Sequence, residues 1–135
     1  RKQAMALLQE ETSLLEIVRL VGRDTLSEKD QFKLDISKSL REDYLQQNAF
    51  HDVDTYCSLE KQYKMLYTIL NFYDKGLKAL DNGAYLEEIE ELDLVERISR
   101  MKYVCECDLA EIDAINESID QETKALYRER GDMNA

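Results

Sequence analysis

Proline is absent from all 135 residues, and glycine occurs only at Gly22, Gly76, Gly83 and Gly131. Strand-rich folds need frequent turns, and turns draw on Gly and Pro for backbone angles that other residues resist. A chain this poor in both is expected to be all-α: a five- to six-helix bundle of antiparallel helices with an irregular loop around residues 46–57. One domain over 1–135 accommodates this length, and burying roughly two-thirds of the unfolded chain's surface leaves no need for disulfide or metal staples.

Apolar spacing places the helices. Ala4, Leu7, Leu8, Leu14, Leu15, Val18 and Val21 advance by threes and fours, giving one stripe on a helix over residues 1–21, and Gly22 is expected to close it as a left-handed cap. Ser27 reads as an N-cap, with Glu28 and Asp30 in the first turn where the helix dipole favours carboxylates. Phe32, Ile36, Leu40 and Tyr44 then recur every fourth residue. Ser58 opens the longest helix, striped by Leu59, Tyr63, Leu66, Leu70, Tyr73, Leu77 and Leu80 and widened by Met65, Ile69 and Phe72. That helix is expected at the centre, ending at Gly83. Gly76 interrupts it at a cost of about 1 kcal/mol relative to Ala, a sign either of close helix packing or of drift. A short acidic helix over 85–92 follows, then two cap-and-carboxylate starts, Asp93-x-x-Glu96 and Asp108-x-x-Glu111. The last helix carries Leu109, Ile112, Ile115, Ile119 and Leu126, and the tail, 128–135, is expected to fray.

The formal net charge of −11 argues against binding a phosphate backbone, which needs clustered Lys and Arg, so no nucleic-acid partner is expected. An acidic surface meets a basic partner, or merely keeps a helical protein soluble. No apolar run approaches the ~20 residues of a bilayer span and no signal peptide opens the chain, so a soluble intracellular protein without direct membrane insertion is expected. The three cysteines, Cys57, Cys105 and Cys107, are odd in number and fit a reducing compartment. Cys105-x-Cys107 lacks the further ligands of structural zinc, and the single histidine, His51, lies far off in sequence.

Chemistry of the chain's own is not expected. One histidine cannot build the usual nucleophile–base pair or the paired Glu-x-x-His of a carboxylate di-iron centre, and no glycine-rich phosphate loop exists. No residue is assigned a catalytic or metal-binding role, and no cofactor is expected for the chain by itself. Binding surfaces remain. Tyr44 and Phe50 flank Gln46, Gln47 and Asn48, a grouping in which rings sandwich a planar ligand while amides meet its polar edge; the same rings would equally cap the end of the bundle. Because Arg1 already stands inside a helical pattern, the chain reads as an excised piece of a longer one.

The run Asp24-Thr25-Leu26-Ser27-Glu28-Lys29-Asp30 resembles the Asp-Glu-Leu-Ser-Glu-Glu-Asp motif in the C-terminal helical domain of rotary ATPase catalytic subunits. Tyr44-Leu45-Gln46-Gln47-Asn48-Ala49-Phe50 is similar to that family's Phe-Leu-Ser-Gln-Pro-Phe segment, and Arg41 to Gln62 resembles most the A (alpha) subunits of archaeal- and vacuolar-type ATP synthases. Thr25 and Lys29 stand where the motif has acids, and Asn48-Ala49 replaces its Pro-Phe. The resemblance implies a part of the catalytic subunit that couples ATP hydrolysis or synthesis to proton or sodium transport. It places Asp24 to Asp30 against the central rotor stalk, and Phe50, Ala49, Tyr44 and Gln47 along the adenine side of a nucleotide pocket. It implies ATP or ADP with magnesium in the intact subunit, and as partners the B subunits, the rotor stalk subunits and the subunit's own N-terminal nucleotide-binding domain. The location it implies is cytoplasmic, peripheral to the membrane. An independent acidic helical adaptor is the alternative from a different class, and an autonomous carboxylate–metal enzyme a third.

Overall fold

Each long run of three- and four-residue apolar spacing forms a helix. A computed structural model describes the backbone of residues 2–45, 59–104 and 108–128, and the side chains of all of these except 43–45. Among the described residues there are six α-helices and no strand: α1 Lys2–Val21, α2 Glu28–Ser39, α3 Leu59–Asp81, α4 Leu86–Glu90, α5 Asp93–Arg100 and α6 Ala110–Lys124. Short 3-10 turns, Arg23–Thr25 and Met101–Tyr103, follow α1 and α5. The loop expected around 46–57 lies outside the described residues, as do the three cysteines, His51 and residues 129–135 of the tail.

As expected, α3 is central, packing on α2 along one flank and on α6 along the other, while α1 packs on α2. A continuous core joins Leu7 of α1, Phe32, Ile36 and Leu40 after it, Met65 and Ile69 of α3, Leu94 of α5 and Ile119 of α6. The buried arc of α3 is nevertheless rotated from the expected stripe. Leu59 and Tyr63 are 83% and 68% exposed, and the buried line runs through Met65, Thr68, Ile69, Phe72, Gly76 and Ala79. The small residues decide this, because a helix face bearing Thr, Gly and Ala lets neighbours approach more closely than a ridge of leucines. At Gly76 the ring of Phe32 takes the place a Cβ would occupy, so the glycine marks close packing and not drift. Phe32 is held there by Phe72, edge-on at 5.6 Å, and by Tyr73 at 5.7 Å.

The stripe on α1 is used over only half its length. Ala4 and Leu7 are buried, and the next contact position is the carboxylate of Glu11, clamped by Arg41 Nη2 at 2.7 Å. Leu15, Ile17, Leu20 and Val21 face outward, since α1 packs chiefly on α2, touching α3 near its start through the Gln3–Asp74 hydrogen bond. Beyond α2 the chain makes a π-helical turn at Leu40–Leu45 where a plain α-helix was expected through Tyr44.

Helix ends divide the same way. Ser27 caps α2 as expected, its Oγ accepting from Asp30 N–H at 3.2 Å. Gly22 is not a left-handed cap: φ 92 and ψ 158 place it in an extended conformation at positive φ that is essentially reserved for glycine. Gly83, at φ 95, closes α3 in a Schellman arrangement, with Ala84 N–H donating to Ala79 O at 2.9 Å. The two carboxylate starts miss by a residue: Asp93 lies inside α5 behind Leu92, and Leu109 precedes α6, neither leucine offering a side-chain cap. Carboxylates in a first turn serve the dipole without capping, which the spacing alone cannot distinguish. Arg128, assigned to the fraying tail, is instead fastened. Its N–H donates to Asn82 O at 2.7 Å, and its guanidinium pairs with Glu88 and lies over the Tyr85 ring.

Candidate functional site: the corner between α1 and α2

The Asp24–Asp30 run forms a corner. After the Gly22 reversal, Thr25 Oγ1 donates to Gly22 O at 2.7 Å and Leu26 N–H to Arg23 O at 3.0 Å, tightening the 3-10 turn. Gln31 Nε2 donates to Leu26 O at 3.0 Å, so α2 braces the turn from below. The seven expected contact residues do not all look outward. Glu28 accepts from the Leu86 N–H at 2.7 Å and so caps α4, while Lys29 pairs with Asp81 at the end of α3. Asp30 serves α2 internally, 3.9 Å from Lys33. Asp24, Thr25, Ser27 and Lys29 are exposed, with Leu26 half-buried.

Two features of this corner were not anticipated. The first is apolar: Leu20 and Val21, one turn before Gly22, are 82% and 59% exposed. The expected α1 stripe includes Val21, and Leu20 has no role in it. The second is a charged knot. Arg23 bonds Asp35 at 3.1 Å and Glu90 at 2.7 Å, tying the corner to α2 and α4 at once. Burial works against the Arg23 charge, but its bonds to the two carboxylates outweigh that and hold its pKa above the ordinary value. Glu90 is pushed up to about 7, first by its hydrogen bond to Asp35, then by burial and the Asp35 charge, against the opposing pull of Arg23. One guanidinium is shared by two carboxylates and neutralises them incompletely. These partners lie 12 and 67 residues from Arg23, beyond the reach of local pattern.

Of the other expected site residues, Tyr44 has its backbone in the π-helical turn, and Gln47, Ala49 and Phe50 lie outside the described residues. No group of three or more His, Cys, Asp or Glu positioned to hold a metal occurs among the described residues, and no helix there is long and apolar enough to cross a membrane.

Comparison with known proteins accords with this arrangement. Residues 1–90 match the family described as the C-terminal domain of V and A type ATP synthase. The whole chain is 57% identical to a V-type ATP synthase alpha chain of Clostridium botulinum (strain Okra / Type B1) and 53% identical to V-type ATP synthase alpha chain 1 of Clostridium tetani. An alpha chain from Clostridium perfringens is 53% identical over the same 135 residues. In each case the match covers 100% of this chain and 23% of the relative, so the chain spans about a quarter of their length. With a corner braced from two sides on a helical bundle, and with similarity extending from one end to the other, this chain belongs to the family of C-terminal domains of V- and A-type ATP synthases.

Proposed function

We propose that this chain is the C-terminal domain of the catalytic alpha subunit of a rotary ATP synthase, and that in the intact subunit it couples ATP hydrolysis or synthesis to proton or sodium transport. The observation that carries the reading is the 57% identity over all 135 residues. In this reading the α1–α2 corner bears on the central rotor stalk, and the segment around Tyr44, Gln47, Ala49 and Phe50 borders the adenine side of the nucleotide pocket. The phosphate-binding groups, with magnesium, belong to the preceding nucleotide-binding domain. By itself the chain is catalytically silent, because its sequence carries no glycine-rich phosphate loop and so forgoes the charge-assisted contacts that dominate nucleotide affinity. The B subunits and the rotor are its partners, on the cytoplasmic side of the membrane.

The corner suits a lever because force applied to Asp24 or Thr25 passes into α2 through the Ser27 cap and into α4 through Arg23 and Glu28. A close-packed interior compresses little, so displacement is transmitted and not absorbed. Leu20 and Val21 give the contact an apolar part that does not depend on the charge of the opposing shaft. Replacing both by serine in the assembled synthase is expected to lower ATP-driven torque while leaving ATP hydrolysis near its original rate. Unchanged torque in single-molecule rotation would remove the corner from the rotor contact. Phe50→Ala in the intact subunit is expected to weaken nucleotide binding by about 1–3 kcal/mol, the scale of a lost stacking ring; undiminished affinity would assign Phe50 to packing.

A further inference from the structure

On the face behind the corner, α2, α4 and α5 leave a groove of about 370 Å³. Its floor is apolar, made by Phe32, Ile36, Phe72, Ile89 and Ile98, all of them buried. Its rim is different. Asp35 and Glu90 stand together beside Arg23, Lys38 at the end of α2 lies 3.9 Å from Glu42 of the π-helical turn, and Val95 of α5 also lines the groove, 42% exposed. From this geometry we infer that the groove is a docking site for a basic amphipathic segment of another synthase subunit, one that seats an apolar side chain on the floor and sets a Lys or Arg against Asp35 and Glu90. This rests on the proposed function, which supplies the assembly.

Charge complementarity selects this occupant over others. The lip holds two carboxylates around one guanidinium, and Glu90 retains its proton toward neutral pH through its hydrogen bond to Asp35 and its burial, against the pull of Arg23. A second cation would take the place of that proton and let both carboxylates ionise, whereas an acidic segment would add negative charge and a neutral one would leave the pair as it is. Apolar contact provides the remaining affinity: the floor has the size and lining of a pocket for one large aliphatic or aromatic side chain. Another copy of this chain, at net charge −11, is a poor match for such a lip. Arg23 of the corner bonds Asp35 and Glu90 of the lip, so an occupant would also stiffen the corner's tie to α2 and α4.

Photo-crosslinking in the assembled synthase tests the inference, with p-benzoylphenylalanine replacing Val95 on the exposed side of the groove. The expected result is a crosslink to one segment of another subunit in which a Leu, Ile, Met or Phe adjoins Lys or Arg. Glu90→Lys is expected to reduce its yield about tenfold, as charge reversal at a docking lip does, and Glu90→Gln less, while Glu111→Lys on α6 leaves it unchanged. A crosslink only within the same polypeptide or to a second copy, a crosslink to a segment without basic residues, or none at all in an intact assembly would each overturn it. Failure of the Val95-substituted and unsubstituted subunits alike to enter the assembly would instead refute the proposed function and the inference with it.

Discussion

Gly76→Ala should destabilise this bundle, although the same change in an ordinary helix interior stabilises it. Removing a helical glycine contributes about 1 kcal/mol through helix propensity. Against that, a Cβ at residue 76 would lie inside 3.0 Å of both Cε2 and Cζ of Phe32, nearer than real Cβ atoms come to anything. The Phe32 ring cannot retreat, being 1% exposed and wedged between Phe72 and Tyr73. Overpacking of that kind costs about 1–3 kcal/mol, and a confined ring puts it near the top, so the net loss should be about 1–2 kcal/mol. In a Phe32→Leu background the offending ring atoms are gone. There Gly76→Ala should be neutral or stabilising by up to about 1 kcal/mol, which makes the coupling between the two sites about 2 kcal/mol. Urea unfolding of the four proteins measures this through the midpoint at constant slope. Equal stabilisation by Gly76→Ala in both backgrounds would refute the claim that the α2–α3 approach depends on a missing side chain.

Other expectations follow from single contacts. Gly83→Ala should cost about 2–4 kcal/mol, more than loss of a C-cap glycine alone, because the added Cβ meets the Arg128 carbonyl and φ is 95; a loss below about 1 kcal/mol in thermal unfolding would count against the close approach of Arg128 to Gly83. Arg41→Ala should cost about 2–3 kcal/mol by stranding the Glu11 carboxylate, which is 7% exposed, and Glu11→Gln should recover much of that loss in the Arg41→Ala background. The pH dependence has a definite sign at Glu90. A carboxyl that binds its proton more tightly folded than unfolded contributes stability at low pH, and loses it as pH rises from the ordinary 4.5 toward about 7. Glu90→Gln should flatten that decline in urea midpoints taken across the interval, and an unaltered profile would assign the decline elsewhere. Asn116→Ala should loosen α6 from α3 by about 1 kcal/mol, since Asn116 donates to Thr68 Oγ1 at 2.8 Å and accepts from Asn71 Nδ2 at 3.0 Å; hydrogen exchange on α6 reads this directly.

By itself the sequence determined which residues are helical, and within a residue or two where most helices begin, because spacing, the Ser27 cap and the scarcity of Gly and Pro act along the chain. It also carried the family, through the Asp24–Asp30 and Tyr44–Phe50 runs, and the break between α1 and α2 from Gly22 to Ser27. Tertiary structure alone decided which arc of each helix faces inward. Leu15 and Val21 belong to the expected stripe and are exposed; Leu59 and Tyr63 lie off the buried arc that Thr68, Gly76 and Ala79 define. Periodicity reports that a helix has an apolar side but not how many neighbours arrive to cover it, and α1 receives one where α3 receives two. The same limit hid the Arg23, Asp35 and Glu90 knot and the groove beside it. Electrostatic energy depends on distance in space, and residues 23 and 90 become adjacent only when α2 and α4 close around the corner.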